Sequence, residues 1–159
     1  MAGNTVFHKK VLSILNKPLI SRSEAETKKA AKKFSGIIKP GDLVLLKGGL
    51  GSGKTVFARG LARAMGFKGA VRSPSFTIAN RYKCAKGVNL YHLDLYRLEG
   101  SDFDSFGLEE YICSEGICSV EWVQKIMIPP RMPYWDVRIT PRGEKERCII
   151  IKRKNQKKK

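Results

Sequence analysis

Acidic residues are scarce in this sequence: 14 Asp and Glu face 31 Lys and Arg, giving a formal net charge of +17 over 159 residues. Such an excess draws polyanions, RNA above all, by a salt-sensitive and sequence-blind attraction. Histidine is scarcer still, at 2, and the four cysteines (Cys84, Cys113, Cys118, Cys148) contain no C-x-x-C pair. A zinc site is therefore not expected; reduced, partly buried thiols in the cytoplasm are, with a Cys113–Cys118 redox pair as the lesser alternative. No run of 18 apolar residues exists, so no membrane-spanning helix is expected. Val11-Leu12-Ser13-Ile14-Leu15 is broken by Asn16-Lys17 and followed by no small-residue cleavage site, which argues against a secretory signal. Internal repeats are absent, as is an N/T-K-x-D guanine pattern. No RNA-recognition motif with interleaved aromatics appears, so any RNA contact would run through backbone charge. What remains is a chain of ordinary hydrophobic content, 42%, sized for one domain.

That domain is centred on Gly48-Gly49-Leu50-Gly51-Ser52-Gly53-Lys54-Thr55, which fits the phosphate-loop pattern G-x-x-x-x-G-K-[ST]. Leu43-Val44-Leu45-Leu46, after Pro40-Gly41, reads as a buried strand. Val56, Phe57, Leu61, Ala64 and Met65 recur at helical spacing until Gly66. Strand, glycine loop and helix are the context that the motif requires. Gly48, Gly51 and Gly53 can take positive φ without a Cβ penalty, turning successive N–H groups toward a phosphate. The helix starting near Lys54 adds its positive end. Lys54 can reach the outer phosphates, and the Thr55 hydroxyl can ligate Mg²⁺. The sequence predicts a nucleotide site.

The rest falls in order around this loop. Residues 1–17 read as an arm, 18–152 as the nucleotide-binding domain and 153–159 as a basic disordered tail. Lys17 to Ser21 suits an edge strand. Ser23-Glu24-Ala25-Glu26 is a capping box opening a helix that keeps Ala30, Ala31 and Phe34 apolar and ends at Gly36. Ser73-Pro74-Ser75 starts a turn, and Phe76, Ile78 and Tyr82 suggest the strand leaving it. From Val88 to Arg97 the pattern alternates, with Leu90, His92, Asp94 and Tyr96 on one face and Tyr91, Leu93 and Leu95 on the other. Leu108 to Tyr111 reads as a short helix. Gly116 to Val120 reads as a buried strand ending in Glu121-Trp122, and Pro129, Pro130 and Pro133 mark a loop. Residues 135–140 and 147–151 form a hairpin around Pro141-Arg142-Gly143-Glu144. The fold class is α/β: a mixed sheet of the phosphate-loop nucleoside triphosphatase kind, flanked by helices, with a C-terminal antiparallel hairpin.

Asp94 ends a strand downstream of the phosphate loop, where a Mg²⁺-binding carboxylate belongs; pairing with Arg97 or capping the next turn are the alternatives. Glu121 ends another, at the crevice where open α/β sheets bind ligands; it reads as a second metal or water-orienting carboxylate, or as a solvated strand end. His92 either lines the site or sits satisfied in the core. Ser73, Ser75 and Thr77 read either as a γ-phosphate-sensing switch or as plain turn formers, and Trp122 as a packing residue rather than one that stacks on adenine.

The set Gly48–Thr55, Ser73-Pro74-Ser75-Phe76-Thr77, His92-Leu93-Asp94-Leu95-Tyr96-Arg97 and Glu121-Trp122 resembles the TsaE (YjeE) family in order and spacing, from about Leu19 to Lys152. The resemblance implies a small Mg²⁺-dependent ATPase of tRNA N6-threonylcarbamoyladenosine formation at position 37, acting with TsaB and TsaD. It implies catalytic roles for Lys54, Asp94 and Glu121, a metal shell of Thr55, Asp94 and Glu121, and nucleotide contacts from the loop residues Gly48, Gly49, Leu50, Gly51, Ser52, Gly53, Lys54 and Thr55. Thr27 and Arg147 also fall where the family touches the nucleotide. Two positions depart from its pattern: Gly49 stands where the family has an acidic residue, and Ser75 stands where it has Thr.

Three functions suit these residues. The first is a weak ATPase stimulated by its partners. The second is a nucleotide-gated RNA-binding or scaffold module, supported by the charge and by the missing loop carboxylate. The third is a small-molecule kinase, which the acidic stretch from Ser101 to Glu115 supports poorly because it offers no arginine-rich lid.

Overall fold

The central strand, Leu43–Lys47, is apolar at four successive positions because it is buried on both faces. It lies between two parallel neighbours in a seven-stranded sheet. The computed structural model describes residues 17–75, 77–98, 107–112, 115–123 and 132–155. The arm up to Asn16, Phe76, the stretch from Ser101 to Phe106, Cys113, Pro129, Pro130 and the last four tail residues lie outside them.

The strands are β1 (Leu19–Ser21), β2 (Leu43–Lys47), β3 (Ala79–Lys83), β4 (Asn89–Asp94), β5 (Ile117–Glu121), β6 (Tyr134–Arg142) and β7 (Glu146–Lys154). The helices are α1 (Glu24–Ser35), α2 (Lys54–Ala64) and α3 (Leu108–Ile112), and Ala85–Gly87 forms a 3₁₀ turn. Strand order is β1-β7-β6-β2-β5-β4-β3. The inner four run parallel, while β1, β7 and β3 join antiparallel at the edges. Among the described residues, no helix is long and apolar enough to cross a membrane.

Alternation sorts the core into two layers. Val44 and Leu46 of β2, Leu90 of β4 and Val137 and Ile139 of β6 pack with α1 and α2 through Phe34, Phe57 and Leu61. Leu43, Leu45, Leu93, Leu95 and Val120 turn to the opposite face and meet Ile112 of α3. The two helices of the first layer approach closely at Gly60, where a Cβ would come within 2.7 Å of the Lys28 Cα.

Several boundaries differ from the sequence expectation, each for a local reason. β4 stops at Asp94 rather than continuing to Arg97, because the Asp94 carboxylate accepts the Tyr96 N–H at 3.0 Å and turns the chain. β6 runs through Pro141 and Arg142, which were expected in the turn. Its pairing with β2 ends at Lys47–Arg138, so Pro141 interrupts no ladder on that side. β7 carries the sheet through Lys154, past the 152 boundary expected for the domain. Ile78 is not part of β3; it precedes the strand in the left-handed region at φ 65°. In the capping box, Ser23 accepts from the Glu26 N–H as expected, but Glu26 reaches back to the Arg22 N–H, at 2.7 Å.

Candidate nucleotide site

β2 delivers the chain into the glycine loop at the carboxyl ends of the parallel strands. Gly48, Gly51 and Gly53 all take positive φ, at 155°, 71° and 106°. At Gly48 a side chain would collide with the Ile139 carbonyl of β6, so the loop begins tight against the sheet. Gly53 is the residue before α2, whose N-terminus has no side-chain cap and no acidic residue in its first turn. An uncapped helix start beside a glycine-rich turn is a ready anion site.

The polar side chains gather beneath that loop. Thr55 Oγ1 donates to Glu121 Oε1 at 2.9 Å. Asp94 and Glu121 are directly opposed in the β4–β5 register. Asp94 Oδ2 accepts from Ser75 Oγ, which also bonds Ser73 Oγ at 2.8 Å. Lys54 Nζ donates to the carbonyls of Gly48 and Gly49 at 2.9 and 2.8 Å. Burial lowers the Lys54 pKa, against the raising pull of Glu121 and then Asp94. The two carboxylates thus hold a cation in a desolvated place.

A cavity of about 230 Å³ opens over this group, lined by the loop from Leu50, by Lys54 and Thr55, and by Ser75, Asp94, Tyr96, Glu121 and Trp122. A second cavity of about 280 Å³ meets it at Gly51, Gly53 and Val56 and extends between α1 and the β6–β7 turn, past Thr27 and Arg147. The sequence-derived residues therefore divide between two adjoining spaces. Thr27 is buried, with its hydroxyl 2.7 Å from Ser21 Oγ, while Arg147 donates to the carbonyls of Glu144 and Glu146. Gly49, facing open space, gives its carbonyl to Lys54. The Ser52 hydroxyl is buried and has no partner among the described residues.

The donor set of Thr55, Asp94 and Glu121 consists of hard oxygens, the kind Mg²⁺ prefers; among the described residues no group of three or more His, Cys, Asp or Glu is placed to hold a metal ion. His92 does not line the cavity. It is fully buried behind it, with Nε2 2.8 Å from Glu121 Oε1.

Two features escaped the sequence reading. Trp122 takes φ 61°, rare for a bulky residue, and this places its ring against Tyr96 and 4.2 Å from Lys54 Nζ. Glu121, rather than Asp94, is the partner of Thr55, because β5 is the immediate neighbour of β2. No local signal could reveal that adjacency.

Known proteins are similar to this chain in sequence and fold. The sequence model of the family described as threonylcarbamoyl adenosine biosynthesis protein TsaE matches residues 21–149. The tRNA threonylcarbamoyladenosine biosynthesis protein TsaE of Bacillus subtilis is 42% identical over 129 residues, 79% of this chain and 78% of that one. Its namesake in Aquifex aeolicus is 41% identical over 113 residues, 70% of this chain and 80% of that one. The crystal structure of Bacillus subtilis YdiB superposes with a TM-score of 0.69 at 35% identity, covering 84% of this chain and 82% of YdiB.

Proposed function

Because the chain belongs to the TsaE family, whose members are named for tRNA threonylcarbamoyladenosine biosynthesis, we propose that it is the ATP-hydrolysing component of that machinery, working with TsaB and TsaD. The observation that carries this reading is the convergence of Lys54, Thr55, Asp94 and Glu121 on one cavity under an anion-ready loop.

In this reading the loop N–H groups and the α2 N-terminus bind the phosphates, and Lys54 leaves the Gly48 and Gly49 carbonyls to meet the outer two. Water attacks the γ-phosphorus in line, the bond to the β-phosphate oxygen breaks, and ADP and phosphate leave. Lys54 and the loop amides offset the charge that develops. Mg²⁺, when bound, would neutralise phosphate charge, and Thr55, Asp94 and Glu121 would hold it directly or through water. The carboxylates divide the work: Glu121 is tied to Thr55, and Asp94, through Ser75, to the loop from Ser73 to Thr77. The adjoining cavity past Thr27 and Arg147 would receive the nucleoside. Activity of the isolated chain should be weak; Arg97, exposed beside Tyr96, and partner residues are the candidates for the missing arginine finger.

The test is ATP hydrolysis by the chain alone and with TsaB, TsaD and tRNA, beside Lys54→Ala and Asp94→Ala. Stimulated turnover that both folded variants lose supports the proposal. Nucleotide binding without hydrolysis, unaltered in the variants, overturns it in favour of a scaffold.

A direct tRNA contact is a second reading that can coexist with the first. Arg138, Arg142, Lys152 and Lys154 are exposed on one face of the β6–β7 pair, and none has an ion-pair partner among the described residues. A phosphate backbone would suit them. If so, tRNA affinity falls steeply with salt, and Arg138→Ala flattens that slope.

A further inference from the structure

The Glu121 carboxylate is fixed from two sides. Its Oε1 accepts from the Thr55 hydroxyl at 2.9 Å and faces His92 Nε2 at 2.8 Å. Oε2 has no partner among the described residues, and Glu121 lines the cavity. His92 reaches this place from β4, one strand away, and its ring is completely enclosed. Its other nitrogen, Nδ1, is buried and bonds to nothing described. A carboxylate only accepts, so the proton of this bond sits on Nε2. An Nδ1 left as a bare acceptor is also the cheaper orphan, since it leaves no buried N–H unpaired. The imidazole therefore has one polar contact, and that contact is Glu121.

We propose that His92 is a positioning residue: it clamps Glu121 Oε1 so that Oε2 is presented to the cavity. Thr55 sits in the first turn of α2, directly after the loop, and shares in whatever the loop does when a nucleotide arrives. His92 sits on the rigid sheet and does not. The clamp keeps one oxygen of the carboxylate turned inward and leaves the other for the cation or phosphates that would occupy the cavity. This inference rests on reading the cavity as an Mg²⁺–ATP site. Partners that orient a metal ligand typically cost about 10- to 100-fold in metal affinity or activity when removed.

The experiment compares His92→Leu, His92→Asn and His92→Gln in the full chain, after thermal melts establish folding. Gln carries its amide nitrogen at the reach of Nε2, whereas Asn carries it only at the reach of Nδ1. Three quantities are read: ATP affinity in EDTA, the gain in that affinity on adding Mg²⁺, and the KM and kcat of hydrolysis with TsaB, TsaD and tRNA. In EDTA all variants bind ATP as wild type does, because the loop is intact. With Mg²⁺, Leu and Asn lose the gain and lose about 10-fold in kcat with little change in KM, and Gln restores both. Equal loss in Gln and Leu, or an undiminished Mg²⁺ gain in Leu, overturns the proposal. If Leu fails to fold, the Asn–Gln contrast decides alone. If wild type binds Mg²⁺–ATP without hydrolysing it, the hydrolase reading falls, and the Mg²⁺ gain still decides the role of His92.

Discussion

The Lys54 ammonium lies 4.2 Å from the centre of the Trp122 ring while donating to two carbonyls of its own loop. A cation over an aromatic face is held by about 0.5–2 kcal/mol, so the lysine has an alternative site when no phosphate is present. On the proposed reading, nucleotide must draw it away. Trp122 emission should therefore change as Mg²⁺–ATP is titrated in. The change should vanish in Trp122→Phe and in Lys54→Ala. The sequence's other tryptophan, Trp135, is buried beside Asp42 and should stay silent. An unaltered signal in Trp122→Phe would refute this.

Gly60 leaves no room for a side chain between α2 and α1, where a Cβ would meet the Lys28 Cα at 2.7 Å and the Ala31 Cβ at 2.9 Å. Gly60→Ala should cost about 1–3 kcal/mol in urea unfolding, the usual penalty of overpacking. Gly49→Asp, which restores the acidic residue usual in the family, meets open space without positive φ and should change stability by less than about 0.5 kcal/mol.

Asp42 collects the Lys39 N–H, the Trp135 indole N–H and the Arg153 guanidinium, at 3.0, 3.2 and 2.9 Å. Removing a buried acceptor leaves its donors stranded. Asp42→Ala should lower unfolding free energy by about 3 kcal/mol, with Arg153→Ala costing less because the guanidinium remains partly solvated. Equal and small losses in chemical denaturation would contradict this.

Burial pushes the Cys118 thiol up to about 12 from an ordinary value near 9. Below pH 9 both folded and unfolded chains keep this proton, and its contribution to stability is complete. Above pH 9 only the unfolded chain releases it, so stability falls by about 1.4 kcal/mol per pH unit from this group until the folded thiol ionises as well. Thermal melts between pH 8 and 11 should show a shallower alkaline decline in Cys118→Ala. Cys118 should also resist alkylation under native conditions.

The elements set by local chemistry were legible in the sequence: the glycine loop, the capping box at Ser23, and the two faces of β4. Each depends on residues within a few positions of one another. What stayed hidden depends on which strands become neighbours. The pairing of Thr55 with Glu121, the reach of His92 through that carboxylate, and the length of β6 beyond β2 all follow from strand order. Trp122 was read as a packing residue, and it does pack, but only because its backbone takes an unfavourable angle that composition does not foretell. Thr27 and Arg147 came from family resemblance, and the structure puts both on the second cavity rather than beside the carboxylates.

The strand that carries the loop is paired on one side with β5 and on the other with β6, both made later in synthesis. A nascent chain can hold the whole glycine motif while β2 still has bare edges and Gly48 has no Ile139 carbonyl behind it. Such long-range pairing slows folding and leaves an apolar strand exposed to other chains meanwhile. On the proposed reading of the site, ATP would therefore be captured only once β5 and β6 have been made. In a cell, the nucleotide would select finished molecules and leave truncated ones to proteolysis.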